Sequence, residues 1–243
     1  MPAAIIAFII SIIPSILIII RLRARRPNDP VYVDNCNYAL RKGLLSVLPI
    51  MGVSALFAIS TNILGATVLQ DVHVLVKRAI HTFLVLAFAE ELVKFMSLKS
   101  VLKESKGAYT WADVVAFMVI IGTAFGLVED IPFAIGASPG VMIVRGITMG
   151  HVGYGYLMGR LYGKMLYTGD TKYGVLAFLI PFLIHGLYDF SLSSELLELN
   201  DDFAIIAVSL AVVGIVLLIR MIMFFVRTSK QPQYNEPLPW SGM

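Results

Sequence analysis

The chain is poor in charged residues and in cysteine. Lys, Arg, Asp and Glu make up only 14% of its 243 residues, whereas soluble domains average about 25% because their surfaces are hydrated. The single cysteine, Cys36, excludes an intramolecular disulfide and a zinc site built from cysteines. The net charge of +3 is small, so nucleic acid is not an expected partner. With 58% hydrophobic residues, the chain needs a lipid bilayer around it.

Long apolar runs are what the chain has in abundance, since seven of them reach the roughly 20 residues that a membrane-spanning helix needs. They lie at 3–20, 44–64, 80–98, 111–136, 141–166, 173–192 and 203–226. The connections are short, and no internal repeat divides the chain. We therefore predict an all-α fold, a polytopic transmembrane bundle of about seven helices over 1–226, and a mobile cytoplasmic tail over 227–243.

Basic residues in the connections predict the orientation, because Lys and Arg accumulate on the cytoplasmic side of a membrane. One side holds Arg21, Arg23, Arg25, Arg26, Arg41, Lys42, Lys99, Lys103, Lys106, Arg160, Lys164, Lys172, Arg227 and Lys230. The opposite side holds only Lys77 and Arg78. We expect the N-terminus outside, the C-terminus in the cytoplasm, and a location in the inner (cytoplasmic) membrane.

Ionisable side chains are concentrated in the third to sixth apolar runs, although an Asp, Lys or Arg there costs about 2.5–3.5 kcal/mol to insert. They are Glu90, Glu91, Lys94, Glu129, Asp130, Arg145, His151, His185 and Asp189. At about 1.5 Å of rise per residue, Glu90, His151 and His185 reach similar depths. We therefore expect four helices to bring these groups into one layer of the membrane.

Helical spacing predicts pairs within these runs. His185 and Asp189 are four residues apart and share a helix face. Lys94 follows Glu90 by four residues, the favoured spacing for an ion pair, and follows Glu91 by three. Lys94 is thus the expected countercharge of the glutamate pair.

Glycines recur at every fourth residue in the fourth and fifth runs. They are Gly122, Gly126, Gly155, Gly159 and Gly163. Small residues at this spacing let membrane helices pack closely, so these two helices are expected to be neighbours.

The polar cluster is compatible with several roles. A carboxylate that activates water, with histidines that orient it and stabilise an oxyanion, is sufficient for amide hydrolysis. Intramembrane carboxylates and histidines also form proton relays in transporters, or structural ion-pair networks. Glu90, Glu129, His151 and His185 are acceptable zinc or manganese ligands, but the H-E-x-x-H signature is absent. The residues alone leave these roles open.

Four segments, in order, resemble the PrsW family of bacterial intramembrane proteases. They are AEELVKF (89–95), GTAFGLVEDIPF (122–133), RGITMGHVGYGYLMGRLYGK (145–164) and PFLIHGLYDF (181–190). They match the EExxK, FxxxE, isolated-histidine and HxxxD elements of that family. In the related CAAX prenyl endopeptidases the second motif ends in histidine, so Glu129 favours the PrsW branch. Asp130 departs from the family, which more often has asparagine there.

The resemblance implies a catalytic core at about 80–192 and a role for each motif residue. The catalytic set would be Glu90, Glu91, Glu129, His151, His185 and Asp189, with Lys94 and Phe125 as supporting residues. One residue of the Glu90/Glu91 pair would activate water, and Asp189 would orient a histidine. Family members are often described as metalloproteases, which makes a divalent metal such as zinc a possible cofactor.

The implied substrate is a single-span membrane protein similar to an anti-sigma factor, cut near its extracytoplasmic side. A proton-coupled transporter and a catalytically inactive relative that binds a membrane partner are the alternatives. Transport is disfavoured by the lack of an inverted internal repeat.

Overall fold

The computed structural model describes residues 2–64, 72–105, 107–136, 138–228 and 230–239. Its helices are α1 (Pro2–Arg23), α2 (Pro30–Leu45), α3 (Val47–Leu64), α4 (Val74–Ala79), α5 (Phe88–Glu104), α6 (Trp111–Gly136), α7 (Pro139–Thr148), α8 (Gly150–Thr168), α9 (Lys172–Ser191), α10 (Ser194–Leu197) and α11 (Asp202–Thr228). A π-helical segment (Ile80–Ala87) joins α4 to α5, and a 3-10 turn (Pro232–Tyr234) follows α11. These ranges contain no β-strand, which confirms the all-α prediction.

All seven predicted apolar runs contain helix. Five stretches are long and apolar enough to cross a membrane: Ile5–Arg23, Pro30–Phe57, Trp111–Pro132, Lys172–Ser191 and Asp202–Thr228. The third and fifth runs, 80–98 and 141–166, do not meet this criterion among the described helices, since the third carries three charges and the fifth is divided. The bundle is confirmed, whereas its orientation stays a prediction.

Helix α2 occupies what the sequence suggested was a connection. It begins at Pro30, whose missing N–H and fixed φ suit the first position of a helix. The Asp29 side chain caps it by accepting a hydrogen bond of 3.0 Å from the Tyr32 backbone N–H. Helix α2 contains many polar residues, so the search for long apolar runs did not predict it.

The fifth predicted run is not one helix but two, α7 and α8. Met149 separates them with φ 45° and ψ 48°, a left-handed conformation that is uncommon for a residue with a side chain. Its N–H still donates to the Arg145 carbonyl at 3.0 Å and thereby closes α7. This conformation costs roughly 1–2 kcal/mol, and it lies two residues before His151, where backbone strain is typical of functional sites.

Helix α6 forms the centre of the bundle. It packs against α1, α2, α5 and α8, and its residues from Ala112 to Phe125 are buried. Helices α3 and α11 lie at the periphery with many apolar side chains exposed. Two of these neighbours, α5 and α8, carry residues of the polar cluster.

The segment 230–239 packs against the bundle, in contrast to the predicted mobile tail. The Leu238 N–H donates to the Tyr109 carbonyl at 3.0 Å, and the Leu238 side chain is buried. The Tyr234 ring lies 4.7 Å from Trp111 and 5.1 Å from Phe224, measured between ring centroids. Aromatic contacts therefore hold this segment against α6 and α11.

Candidate active site

Four helical elements bring all eight residues named from the sequence into one network. Helix α5 supplies Glu90, Glu91 and Lys94, α6 supplies Phe125 and Glu129, α8 supplies His151, and α9 supplies His185 and Asp189. The first turn of α5 follows the π-helical segment directly, and His151 lies in the first turn of α8. Glu90, Glu91 and His151 therefore lie in the first turns of their helices.

Lys94, the expected countercharge of the glutamate pair, forms its ion pair with Glu91. The Lys94 Nζ donates to Glu91 Oε1 at 2.5 Å and to His151 Nδ1 at 3.1 Å, and it lies 4.5 Å from the centre of the Phe125 ring. Both partners of the ion pair are fully buried. The preference for the closer spacing arises because His151 and Phe125 hold the ammonium group on the Glu91 side of α5.

His185 bridges three carboxylates. Its Nδ1–H donates to Glu91 Oε1 at 2.8 Å, and its Nε2 lies 3.2 Å from Asp189 Oδ2 and 3.8 Å from Glu90 Oε2. The ring stacks on Tyr154 at a centroid distance of 5.0 Å. The imidazole is thus fixed in orientation by Glu91 on one edge and Asp189 on the other.

The two glutamates differ in their surroundings. Glu91 is fully buried, and its Oε1 accepts from both Lys94 and His185. Each glutamate has one buried oxygen, Oε2, without a hydrogen-bond partner among the described residues, but it is Glu90 that lines the large cavity. Glu91 therefore has the contacts of a residue that holds the network together, whereas Glu90 has acceptor capacity that faces a cavity.

Glu129 joins the second half of the network. Its Oε2 makes a short hydrogen bond with His151 Nε2 and lies 3.3 Å from Arg145 Nη2. Arg145 Nε also donates to Asp130 Oδ1 at 2.8 Å. Asp130, the departure from the family pattern, is therefore paired with a cation.

Arg145 was not assigned a site role from the sequence. The available signal was its position as an arginine within an apolar run, six residues before His151, because intramembrane charges are rarely without function. Tyr154 was also missed, since a tyrosine between the α8 glycines has no distinguishing pattern.

Two cavities reach the polar network. The larger, about 690 Å³, lies between α3, the π-helical segment and α6. Its lining is mainly apolar, with Glu90, Glu129, Arg145 and Asp189 among its polar residues. The smaller, about 50 Å³, is lined by Glu129, His151, His185 and Asp189 among others. A space of this size and polarity has room for water.

Negative charge exceeds fixed positive charge in the network. Its carboxylates are those of Glu90, Glu91, Glu129, Asp130 and Asp189, and its permanent cations are Lys94 and Arg145. Uncompensated buried charge is costly. Protons on the histidines or carboxylates, or a bound cation, must balance the excess.

Three of the predicted metal candidates form a trio. Glu90, His151 and His185 each offer one ligand atom, and these atoms lie within 4.8 Å of one another. Two histidines and a glutamate are the donor set of several zinc hydrolases, and the unpartnered Glu90 Oε2 is an oxygen that a cation would satisfy. The residues present fit a divalent metal. Glu129, the fourth candidate, binds His151 instead.

Two known proteins are similar to this chain in sequence. Protease PrsW of Shouchella clausii is 32% identical over 120 residues, which cover 48% of this chain and 56% of the relative. Protease PrsW of Oceanobacillus iheyensis is 28% identical over 154 residues, which cover 62% of this chain and 66% of the relative. The chain thus spans less than two thirds of the length of either relative. No solved structure matches it.

The family comparison covers the whole network. The sequence model described as PrsW family intramembrane metalloprotease matches residues 42–222. This range begins before α3, includes every helix that carries the network, and ends within α11. The chain therefore belongs to the PrsW family of intramembrane metalloproteases.

Proposed function

We propose that this protein is an intramembrane endopeptidase that hydrolyses a peptide bond with Glu90 as the general base. The observation that supports this most is the contrast within the glutamate pair. Glu90 lines the 690 Å³ cavity, whereas Glu91 is fully buried and its Oε1 accepts from Lys94 and His185. A base must have a free acceptor within reach of water.

In the proposed reaction, Glu90 takes one proton from water while the water oxygen attacks the scissile carbonyl carbon. The C–N bond then breaks, and the proton passes to the leaving nitrogen. His185 lies 3.8 Å from Glu90 and is the imidazole nearest to this transfer. Asp189 and Glu91 orient His185, so both act as positioning residues.

The oxyanion requires positive charge or hydrogen-bond donors close to the carbonyl. Arg145 lines both cavities and is held by Glu129 and Asp130. We assign the Arg145 guanidinium, which these two carboxylates hold in place, to stabilising the oxyanion. Aligned donors held in place by other contacts need no reorganisation during the reaction, which is why such networks accelerate it.

Glu90, His151 and His185 would hold a divalent metal if one binds, and Glu90 would then be a ligand, so its role as the base applies to the metal-free site. Such an ion would act as a Lewis acid on the scissile carbonyl and strengthen oxyanion stabilisation. The roles assigned to Glu91 and Asp189 are the same with or without it, because their contacts orient His185.

The proposed substrate is a single-span membrane protein similar to an anti-sigma factor, cut near its extracytoplasmic side in the inner membrane. The support for the class is the apolar lining of the large cavity, to which Ile50 and Met51 of α3 contribute. An apolar segment that enters from lipid would meet Glu90 and Glu129 at the polar end of this cavity. The anti-sigma identity rests on the family resemblance.

Co-expression with candidate single-span proteins, followed by assay of the purified pair in detergent, tests this function. We expect Glu90→Gln to lower cleavage by about 10²–10⁴-fold, the usual contribution of a general base. Glu104→Gln, an exposed glutamate on the same helix α5, is the matched control and should cut like wild type. Wild-type cleavage by Glu90→Gln would refute the mechanism.

Two further outcomes identify the alternatives. Proton-driven flux in vesicles that Glu90→Gln abolishes, with no cut product from any candidate, would indicate a transporter. A stable complex with an intact partner would indicate an inactive relative. Metal analysis of the purified protein, with chelator added to the cleavage assay, decides whether the Glu90, His151 and His185 trio is occupied.

A further inference from the structure

A second polar cavity lies away from the carboxylate network. It has a volume of about 210 Å³ and is lined by Tyr156, Arg160, Arg220, Met223, Phe224, Arg227, Thr228, Gln231 and Tyr234. Helices α8 and α11 form its walls, and the segment after α11 closes one end. Arg160 is nine residues beyond His151 on α8, about 13.5 Å along the helix axis, so this cavity is separate from the proposed catalytic groups.

Arg220 is the least expected member of this cavity. It lies within the apolar part of α11, seven residues before Arg227, and the two share a helix face. An arginine inside an apolar run is costly and is usually retained for a function. The network around Glu90 does not include Arg220, so its charge has another use.

Arg160 is held in a fixed position. Its Nη1 donates to the Tyr156 hydroxyl oxygen at 3.2 Å, and its guanidinium lies 5.4 Å from the centre of the Phe224 ring. Its backbone carbonyl accepts from Trp111 Nε1 at 3.0 Å. The Tyr156 hydroxyl, which accepts from Arg160, keeps its own proton available for a further acceptor.

Among the described residues, no carboxylate forms an ion pair with these arginines. The lining contains neither Asp nor Glu, and in the part of the chain that the structure describes none of the three arginines forms an ion pair. Three guanidinium groups and a tyrosine hydroxyl thus face one cavity without a negative partner. Guanidinium groups match the oxygens of phosphate in charge and geometry.

The surroundings of the cavity indicate that a lipid supplies the phosphate. The outer side of α11 beside it is apolar and exposed, with Ile222 and Val226 directed away from the protein. Met223 lines the cavity and is itself exposed, so the cavity borders that apolar surface. A headgroup could occupy the cavity while its acyl chains lie along α11.

We propose that this arginine cavity binds the phosphate of an anionic phospholipid headgroup. Basic pockets between helices at the end of a bundle where Lys and Arg accumulate are the usual form of such sites. Bound lipid would link α8, which carries His151 in its first turn, to α11 and to the segment that packs on Trp111.

Native mass spectrometry of the full chain tests this proposal. Protein purified in detergent is mixed with equal amounts of phosphatidylglycerol and phosphatidylcholine, and the bound lipid is counted. We expect wild type to retain phosphatidylglycerol preferentially. In the triple variant Arg160→Gln, Arg220→Gln and Arg227→Gln, the ratio of bound phosphatidylglycerol to bound phosphatidylcholine should be lower by about tenfold or more. Each basic side chain near anionic lipid contributes several-fold to its affinity.

The matched control removes the same charge elsewhere on the same predicted side of the membrane. Arg21→Gln, Lys99→Gln and Lys103→Gln together should keep the preference of wild type. If the triple cavity variant does not fold, the single change Arg220→Gln at an exposed position should still lower the preference severalfold. Equal loss in the control triple would overturn the proposal.

A free anion is the competing source of the phosphate. Thermal unfolding of wild type in detergent should shift upwards with phosphatidylglycerol and not with inorganic phosphate or phosphatidylcholine. An equal shift with inorganic phosphate alone would overturn the lipid assignment.

Discussion

Two stretches that are apolar enough to cross a membrane have different surroundings: Trp111–Pro132, which lies in α6, and Pro30–Phe57, which joins α2 to the first part of α3. An 18-residue part of the first is 67% buried inside the protein, whereas an 18-residue part of the second is 17% buried. Small residues distinguish them. A Cβ on Gly155 of α8 would lie 2.9 Å from the Met118 carbonyl oxygen of α6, whereas a Cβ on Gly52 of α3 would meet nothing within 4 Å.

This difference shows that hydropathy identifies helices that enter lipid but not what they contact there. Close packing comes from glycines that let two backbones approach. It makes the α6–α8 pair a rigid support for Glu129 and His151, whereas α3 is a loosely packed wall of the large cavity. The following changes test that division from its largest expected effect to its smallest.

The largest effect is expected at the centre of the network. His185→Asn removes the ring that contacts Glu90, Glu91 and Asp189. Cleavage should fall by about 10²-fold or more, because proton transfer and orientation are lost together. His73→Asn, at an exposed position outside the network, is the control. Residual cleavage within tenfold of wild type would exclude His185 from proton transfer.

The second-largest effect is expected for a change in the packing between α6 and α8. Gly155→Val inserts side-chain atoms against the α6 backbone and should destabilise the fold by about 1–3 kcal/mol, the usual cost of overpacking. Gly52→Val makes the same change on α3 in open space. Thermal unfolding in detergent should show a lower midpoint for the α8 variant only. Equal midpoints would show that α6 and α8 are not closely packed.

A smaller effect is expected for Asp130→Asn. Asparagine keeps an oxygen that accepts from Arg145 Nε, and Glu129 still lies 3.3 Å from the same guanidinium. The loss should be about 1 kcal/mol, which is less than tenfold in the cleavage rate. Steady-state cleavage measures it. Complete inactivation would instead place Asp130 among the catalytic groups.

The smallest effect is expected for truncation of the lipid-facing side of α3. Leu56 is 69% exposed, so Leu56→Ala removes contacts with lipid and should change stability by less than about 0.5 kcal/mol. Met118→Ala on α6, where the side chain is fully buried, should cost about 2–5 kcal/mol. Similar unfolding midpoints for the two variants would contradict the comparison.

Hydrophobic runs and intramembrane charges were enough to predict much of this molecule. The runs predicted the helical bundle, and the charges in the third to sixth runs named residues that the structure brings together. The spacing of Gly122 and Gly126 with Gly155 and Gly159 indicated that the helices α6 and α8 are neighbours. These features could be predicted because lipid penalises each exception to an apolar sequence.

Other features depend on tertiary contacts that no local pattern encodes. Lys94 forms its ion pair with Glu91 and not with Glu90 because His151 and Phe125, which are distant in sequence, contact its ammonium group. The break falls on Met149 and not on the neighbouring Gly146 or Gly150, and no local pattern predicts that a methionine adopts the left-handed conformation there. The packing of 230–239 depends on Tyr234 meeting Trp111. Each of these outcomes requires knowledge of which helices are adjacent.

The source of the oxygen in the product tests the central claim, activation of water by Glu90, most directly. Purified protein in excess over a cleavable substrate is allowed one turnover in water labelled with ¹⁸O, and the new C-terminal carboxylate is analysed by mass spectrometry. The account predicts one labelled oxygen in the product and none in the protein. Unlabelled product, with the label on Glu90, would show that this carboxylate attacks the peptide bond itself and would contradict its role as a base.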